Sequence, residues 1–206
     1  MSIFRRRLMM GQGEKSPYDA EVEYIQSTGT QYINTGIKPT QTLVTEVRFA
    51  LTDDYPFENT SAIFGIFDNG GSYYSVSFPS LNYARIPSGA GNYVNIPITM
   101  GLGTVHNISY KSEAFYFDGE LKGTQKPNIK ENALNIRLFG RAASPSGSSR
   151  IIAGIRIYGF KMIDSGNILH DCIPVRIGTA GCLFDKVNNA LMTNLGSGDF
   201  LIGNDI

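Results

Sequence analysis

From Glu21 onward the chain alternates apolar and polar positions with a period of two. Leu43, Thr45, Val47, Phe49 and Leu51 alternate with Val44, Glu46 and Arg48. That pattern predicts a strand with one face buried and its charges outside. Residues 61–67 (SAIFGIF) are apolar on both faces and predict a central strand. Tyr74, Val76 and Phe78 alternate with Tyr73, Ser75 and Ser77, and Leu134, Ile136 and Leu138 with Asn135 and Arg137. No window of a dozen residues carries a helical period. The expectation is an all-β chain, with strands spaced as in sandwiches and barrels.

Turn chemistry places two hairpins. Asp118-Gly119 follows Phe115-Tyr116-Phe117, and Ser165-Gly166 follows Met162-Ile163-Asp164. Asp-Gly suits the positive φ angles of a type I′ turn. Arg156 and Lys161 lie an odd number of positions apart with Gly159 between them. A regular strand cannot point both outward, so a β-bulge is expected near Gly159, where glycine tolerates the distorted backbone. Residues 53–60, 86–103 and 142–149 read as flexible loops.

Composition narrows the class. The 206 residues suit one domain or two small ones. Glycine (23), tyrosine (11) and phenylalanine (12) are abundant, and tryptophan is absent. This is no disordered chain. Eighteen basic and 18 acidic side chains cancel, which argues against a nucleic-acid partner. No run approaches the ~18 apolar residues of a membrane span.

The charge is uneven along the chain. Arg5, Arg6 and Arg7 stand without an acid in residues 1–10, and Phe4 and Leu8 flank them at i, i+4. Residues 1–20 therefore read as a basic anchor and linker, and 21–206 as the β-domain. Phe4, Arg5, Arg6, Arg7 and Leu8 are either a solvated tail or a particle-docking peptide for an acidic partner. The three apolar residues after the arginines are too few for a secretory signal. The chain is thus expected to stay in the cytoplasm where it is made, with Cys172 and Cys182 reduced and buried.

Three separated segments resemble a known family. Residues 23–36 (EYIQSTGTQYINTG) are similar to the opening of concanavalin A-like, LamG-type jelly-roll domains of gut Bacteroidales and their phages. Residues 105–110 with Tyr116 to Gly119, and residues 173–178, 181–186 and 196–200, resemble that family's middle and closing strands. The resemblance implies a two-sheet antiparallel jelly roll whose first and last strands lie together. Tyr24 and Ile25 would then pair near Leu183 and Phe184, or near Phe200 and Leu201. The fold carries lectins, glycosidases, adhesion modules and virion parts. The leader, MSIFRRRLMM, also resembles the start of proteins from these bacteria and phages. Together these imply a non-enzymatic virion structural protein, in head fibre, decoration or tail. It would dock to other virion proteins through its N-terminus, form a homo-oligomer on the particle and contact host glycans. The alternative is a bacterial carbohydrate-binding or adhesion module.

Candidate chemistry is sparse. Jelly-roll glycosidases need paired carboxylates on one strand of a cleft. The nearest match, Asp19, Glu21 and Glu23, falls on the terminal strand and its approach, where surface acids are expected. His106 shares a face with Ile108 and Tyr110, as a packed histidine would. Neither His106 nor His170 stands beside a nucleophile motif, and no phosphate loop or dinucleotide motif occurs. No cofactor is expected. Asp53, Asp54, Asp68 and Asn69 are the oxygen donors a calcium ion would take. Tyr73, Tyr74, Tyr83, Arg85, Tyr93 and Asn95 are the candidate carbohydrate-binding set: rings for stacking beside amide and guanidinium donors.

Overall fold

The computed structural model describes residues 16–67, 71–88, 92–111, 113–130, 133–143 and 149–206. The docking segment Phe4–Leu8 and the calcium candidates Asp68 and Asn69 lie outside them. The strands, in order, are β1 Ala20–Glu21, β2 Ile25–Thr28, β3 Ile33–Asn34, β4 Val44–Leu51, β5 Ala62–Phe67, β6 Tyr73–Ser80, β7 Tyr83–Ser88, β8 Asn92–Pro97, β9 His106–Lys111, β10 Ala114–Phe117, β11 Glu120–Thr124, β12 Arg137–Leu138, β13 Gly140–Ala142, β14 Ser149–Ile151, β15 Ala153–Asp164, β16 Asn167–Ile177, β17 Ala180–Asp185, β18 Ala190–Met192 and β19 Leu201–Ile202. No helix occurs among the described residues.

The strands form two sheets. The larger runs β11-β10-β9-β4-β15-β16-β17-β18, with β1, β2 and β19 attached; the smaller runs β14-β13-β5-β6-β7-β8, with β12 and β3 beside β5. Pairing is antiparallel apart from one parallel contact, Ala142 to Ile66. The chain is an all-β jelly-roll sandwich.

The alternating pattern explains the packing. Leu43, Thr45, Val47, Phe49 and Leu51 are all buried, while Glu46 and Arg48 face outward. Phe49 of the large sheet stacks on Phe78 of the small one at 5.2 Å, and Tyr110 on Tyr74 at 4.9 Å. The Tyr74 hydroxyl, held inside, donates to Thr45 Oγ1 at 3.0 Å. The core therefore lies between the sheets, where large aromatic side chains bury the most area.

Both hairpins form as the turn residues require. Phe117 pairs with Glu120 across Asp118 (φ 49°) and Gly119 (φ 83°). Asp164 pairs with Asn167 across Ser165 (φ 50°) and Gly166 (φ 83°). The bulge is where parity placed it: Ile157 pairs with Phe49 and Gly159 with the adjacent Arg48. Its backbone does not demand glycine, however. A Cβ at Gly159 would meet only the Cys172 carbonyl, at 3.8 Å.

The chain ends close the large sheet. Leu201 pairs with Gln26 and Ile202 with Ile25, the second of the two arrangements the resemblance allowed. Tyr18 and Asp19 are already attached: the Tyr18 ring lies 5.0 Å from Phe184, and Asp19 accepts the Gly178 N–H at 2.7 Å.

Three expectations need correction. Residues 86–103 are not one loop, because they contain the end of β7 and all of β8. Gly, Pro and Ser around this stretch imitate a loop composition, yet Val94 and Ile96 still point inward. Residues 134–136 are not strand; only Arg137–Leu138 is. Ile136 instead bonds to Ile37 and Thr35 in the segment between β3 and β4. Residues 53–60 do connect β4 to β5, but Tyr55 anchors them in the core, with its hydroxyl on the Ser61 carbonyl and the Phe78 N–H.

Candidate functional site: the outer face of the smaller sheet

Strand parity divides the carbohydrate-binding candidates. Tyr73 and Tyr74 are neighbours on β6 and must face opposite ways. Tyr74 is fully buried in the core, so it is not a surface ligand and leaves the candidate set. Tyr73, Arg85, Tyr93 and Asn95 share the outer face of the small sheet, and Tyr83 follows them at its far end. Arg85 is directly opposite Asn95 in the register of β7 and β8.

Two residues join this set from strands distant in sequence. Phe67, at the end of β5, packs on Tyr73 with ring centroids 4.9 Å apart. The Arg141 guanidinium of β13 lies over the Phe67 ring at 4.4 Å. On the other flank the Arg85 guanidinium lies over Tyr93 at 4.6 Å. Tyr73 and Tyr93 meet edge to face at 6.4 Å.

These contacts require the side chains to lean toward one another across the face. Phe67 and Tyr93 lie on β5 and β8, three strand spacings apart, or about 14 Å across a flat sheet. Their rings nevertheless stand 6.4 Å apart and nearly parallel, at 11°. Ser75 and Ser77 lie beneath, on the same face, and are only 1% and 2% exposed. The side chains lean inward over them.

The electrostatics follow from that crowding. Burial pushes the Tyr93 phenol above its ordinary range, although Arg141 and Arg85 both pull it down. Burial holds the Arg141 guanidinium below its ordinary range, and the neighbouring Arg85 adds to the effect. Arg137, farther along the face, lies over Tyr32 at 4.7 Å. Stacking occupies the planes of these guanidinium groups and leaves their N–H edges for in-plane acceptors.

The larger sheet has a depression on its outer face, about 580 Å³ in volume. One row of its lining runs through Tyr116, Ser109, Glu46, Lys161 and Asp171 across successive strands. Its charges alternate in sign, and Asp171 is paired with Lys186 at 3.1 Å. Gly159, which has no side chain, is part of its lining.

Folding creates one further cluster that spacing along the chain concealed. Ligand atoms of His170, Cys172 and Asp185 lie within 4.8 Å of one another. The set resembles a Cys-His-Asp triad or a metal site, but its atoms are committed elsewhere. His170 Nδ1 contacts Asp185 at 2.6 Å and Nε2 the Thr35 carbonyl at 3.0 Å. Asp185 also accepts from the Asn188 amide and from the Asp171 and Val187 N–H groups. Burial, with Asp185 and Asp171 alongside, pushes the Cys172 thiol far up, which opposes both thiolate attack and metal ligation. The cluster ties the turn after β17 to β16.

The other candidates have structural positions. His106 is buried. It takes the Gly101 N–H on Nε2 and meets Asp118 through Nδ1 at 2.7 Å. Asp53 and Asp54 are exposed in the turn after β4. Asp19, Glu21 and Glu23 bond to Gly178, Tyr18 and Asn204, where the first described residues meet the last strands. Cys172 and Cys182 are free and buried.

Comparison with solved structures shows the same fold. A candidate carbohydrate-binding protein from Bacteroides ovatus superimposes with a TM-score of 0.57 at 10% identity, over 89% of this chain and 62% of that one. The chain thus spans less than two thirds of that protein's length. The heptameric SAP-like pentraxin of Limulus polyphemus gives a TM-score of 0.45 at 12% identity, covering 94% and 92% of the two chains. The likeness to the B. ovatus protein is one of fold, an all-β jelly roll. No family model and no curated protein matches the chain, so neither the LamG-type assignment nor the phage reading gains support.

Proposed function

We propose that this domain is a glycan-binding module without catalytic activity, and that the outer face of the small sheet holds the sugar. The observation that carries this reading is the convergence of Phe67, Tyr73 and Tyr93 in one cradle, beside the donors of Arg85, Arg141 and Asn95. Sugar rings stack their C–H faces on aromatic rings, and their hydroxyls take directional bonds from amide and guanidinium edges. The B. ovatus protein of like fold, described as a candidate carbohydrate binder, supports the class. The large-sheet depression is the weaker place, because Glu46, Lys161 and Asp171 face one another there with alternating sign across neighbouring strands.

The test is affinity electrophoresis of the full chain through gels containing soluble polysaccharides. Wild type should be retarded by at least one of them. Tyr73→Ala and Tyr93→Ala should run free, and Glu46→Gln on the opposite sheet should still be retarded. Retardation lost only in Glu46→Gln would move the site to the large sheet.

A further inference from the structure

We infer that the sugar bound on this face carries an oxyanion, a carboxylate or a sulfate ester, held between Arg85 and Arg141. The inference rests on the glycan-binding reading and names its ligand class.

The first observation is a segregation of charge. The whole chain balances 18 basic against 18 acidic side chains. The strands of the small sheet, however, contain Arg85, Arg137, Arg141 and Arg150 and not one aspartate or glutamate. The acids within strands, among them Glu46, Asp171 and Asp185, all belong to the large sheet. Net neutrality therefore conceals one cationic face.

The second observation is how those arginines are held. Among the described residues only Arg150 of the four is in an ion pair, with Glu58. Arg85, Arg137 and Arg141 lie over rings instead. Arg85 Nε and Arg137 Nη1 are buried without a hydrogen-bond partner among the described residues. Two guanidinium groups brought to the same phenol, in a crowded cradle, repel each other and are poorly solvated. An oxyanion between them would relieve both penalties. Guanidinium edges match a carboxylate or sulfate bidentately, and a stacked guanidinium is already oriented for that bond.

A neutral sugar would use the rings and leave the two cations unmatched. A polyphosphate chain such as single-stranded nucleic acid offers oxyanions too. The cationic strip here is short, and the chain as a whole carries no positive surplus to follow a long backbone.

The experiment is isothermal titration of the full chain with polygalacturonate, dextran sulfate, neutral dextran and an oligothymidylate, at two salt concentrations. Either acidic polysaccharide should bind at least about tenfold more tightly than dextran, and more weakly at higher salt. Arg85→Gln and Arg141→Gln should each remove most of that preference, while Lys161→Gln on the other sheet should keep it. Arg85→Lys preserves charge and fold, and should restore only part, because an ammonium lacks the fork. Preference for polygalacturonate alone assigns a carboxylate, and for dextran sulfate alone a sulfate ester. Dextran binding as tightly as the acidic polymers would overturn the oxyanion and leave the glycan reading standing. Equal losses in Lys161→Gln and Arg85→Gln would show general charge attraction and overturn it as well. Tightest binding to oligothymidylate would replace it with a nucleic-acid ligand, and no binding by any polysaccharide would overturn both readings.

Discussion

The guanidinium of Arg85 lies 4.6 Å from the centre of the Tyr93 ring, so ring and cation present a single stacked surface to the cradle. Tyr93→Ala should remove the stacking surface and release Arg85 together. A lost aromatic–cation contact at a half-buried site is worth about 1 kcal/mol, and the lost sugar stacking adds to it. Titration should show a drop in affinity of roughly tenfold or more. Tyr93→Phe keeps the ring and should stay within about threefold of wild type. Tyr93→Ala should lower Tm by about 2–4 °C through the lost intramolecular contact, and Tyr93→Phe should leave it nearly unchanged.

Two glycines should respond in opposite ways to alanine. Gly65 has φ of 143°, and a Cβ there would stand 2.3 Å from the Tyr74 carbonyl oxygen and 2.6 Å from Ser75 Cα. Backbone must move, directly beneath the cradle. Gly65→Ala should lose on the order of 2–3 kcal/mol in urea unfolding. Gly159→Ala should change stability by less than about 0.5 kcal/mol, since its Cβ would make only an ordinary contact with the Cys172 carbonyl, at 3.8 Å.

Acid should weaken the fold through Asp185. Burial raises the pKa of this carboxyl, but hydrogen bonds from Asn188, His170 and the Asp171 and Val187 N–H groups outweigh it and hold the group below its ordinary value. A carboxyl depressed on folding contributes stability above its unfolded pKa and loses it as pH falls through the folded one. Thermal scans from neutral pH down through the carboxylate range should show Tm falling. Asp185→Asn should start lower and fall less. An unchanged acid limb in Asp185→Asn would remove this group from the account.

The cysteines should be inert until the protein unfolds. Burial pushes the Cys182 thiol up to about 11 and Cys172 higher still. The thiolate is the reacting form. At pH 8 a disulfide reagent should modify neither at an appreciable rate, and both should react at once in denaturant. Rapid native labelling of Cys172 would restore the possibility of a nucleophile beside His170.

Local features were legible in the sequence, and convergent ones were not. Asp118-Gly119, Ser165-Gly166 and the parity break at Gly159 each depend on a few adjacent residues, and the structure has all three. The outward position of Tyr73 followed from the alternation along residues 73–78, whereas Tyr93 stood in a stretch read as loop. That same rule excludes Tyr74, which sequence proximity had grouped with them. Phe67 and Arg141 were invisible as site residues because β5 and β13 are neighbours only after folding. The signal that could have found them is the absence of any acid from the arginine-bearing strands. His170, Cys172 and Asp185 were hidden in the same way, by pairing between β16 and β17.

The central claim is that ligand binds the outer face of the small sheet. The most direct test is a ¹H–¹⁵N chemical-shift titration of the full chain with an acidic oligosaccharide, such as a short oligogalacturonate or a sulfated dextran fragment. The account predicts saturable shifts in the amides of Phe67, Tyr73, Ser75, Arg85, Tyr93 and Arg141, with those of Glu46, Ser109 and Lys161 unmoved. Shifts confined to Glu46, Ser109 and Lys161, or none at saturating ligand, would contradict it.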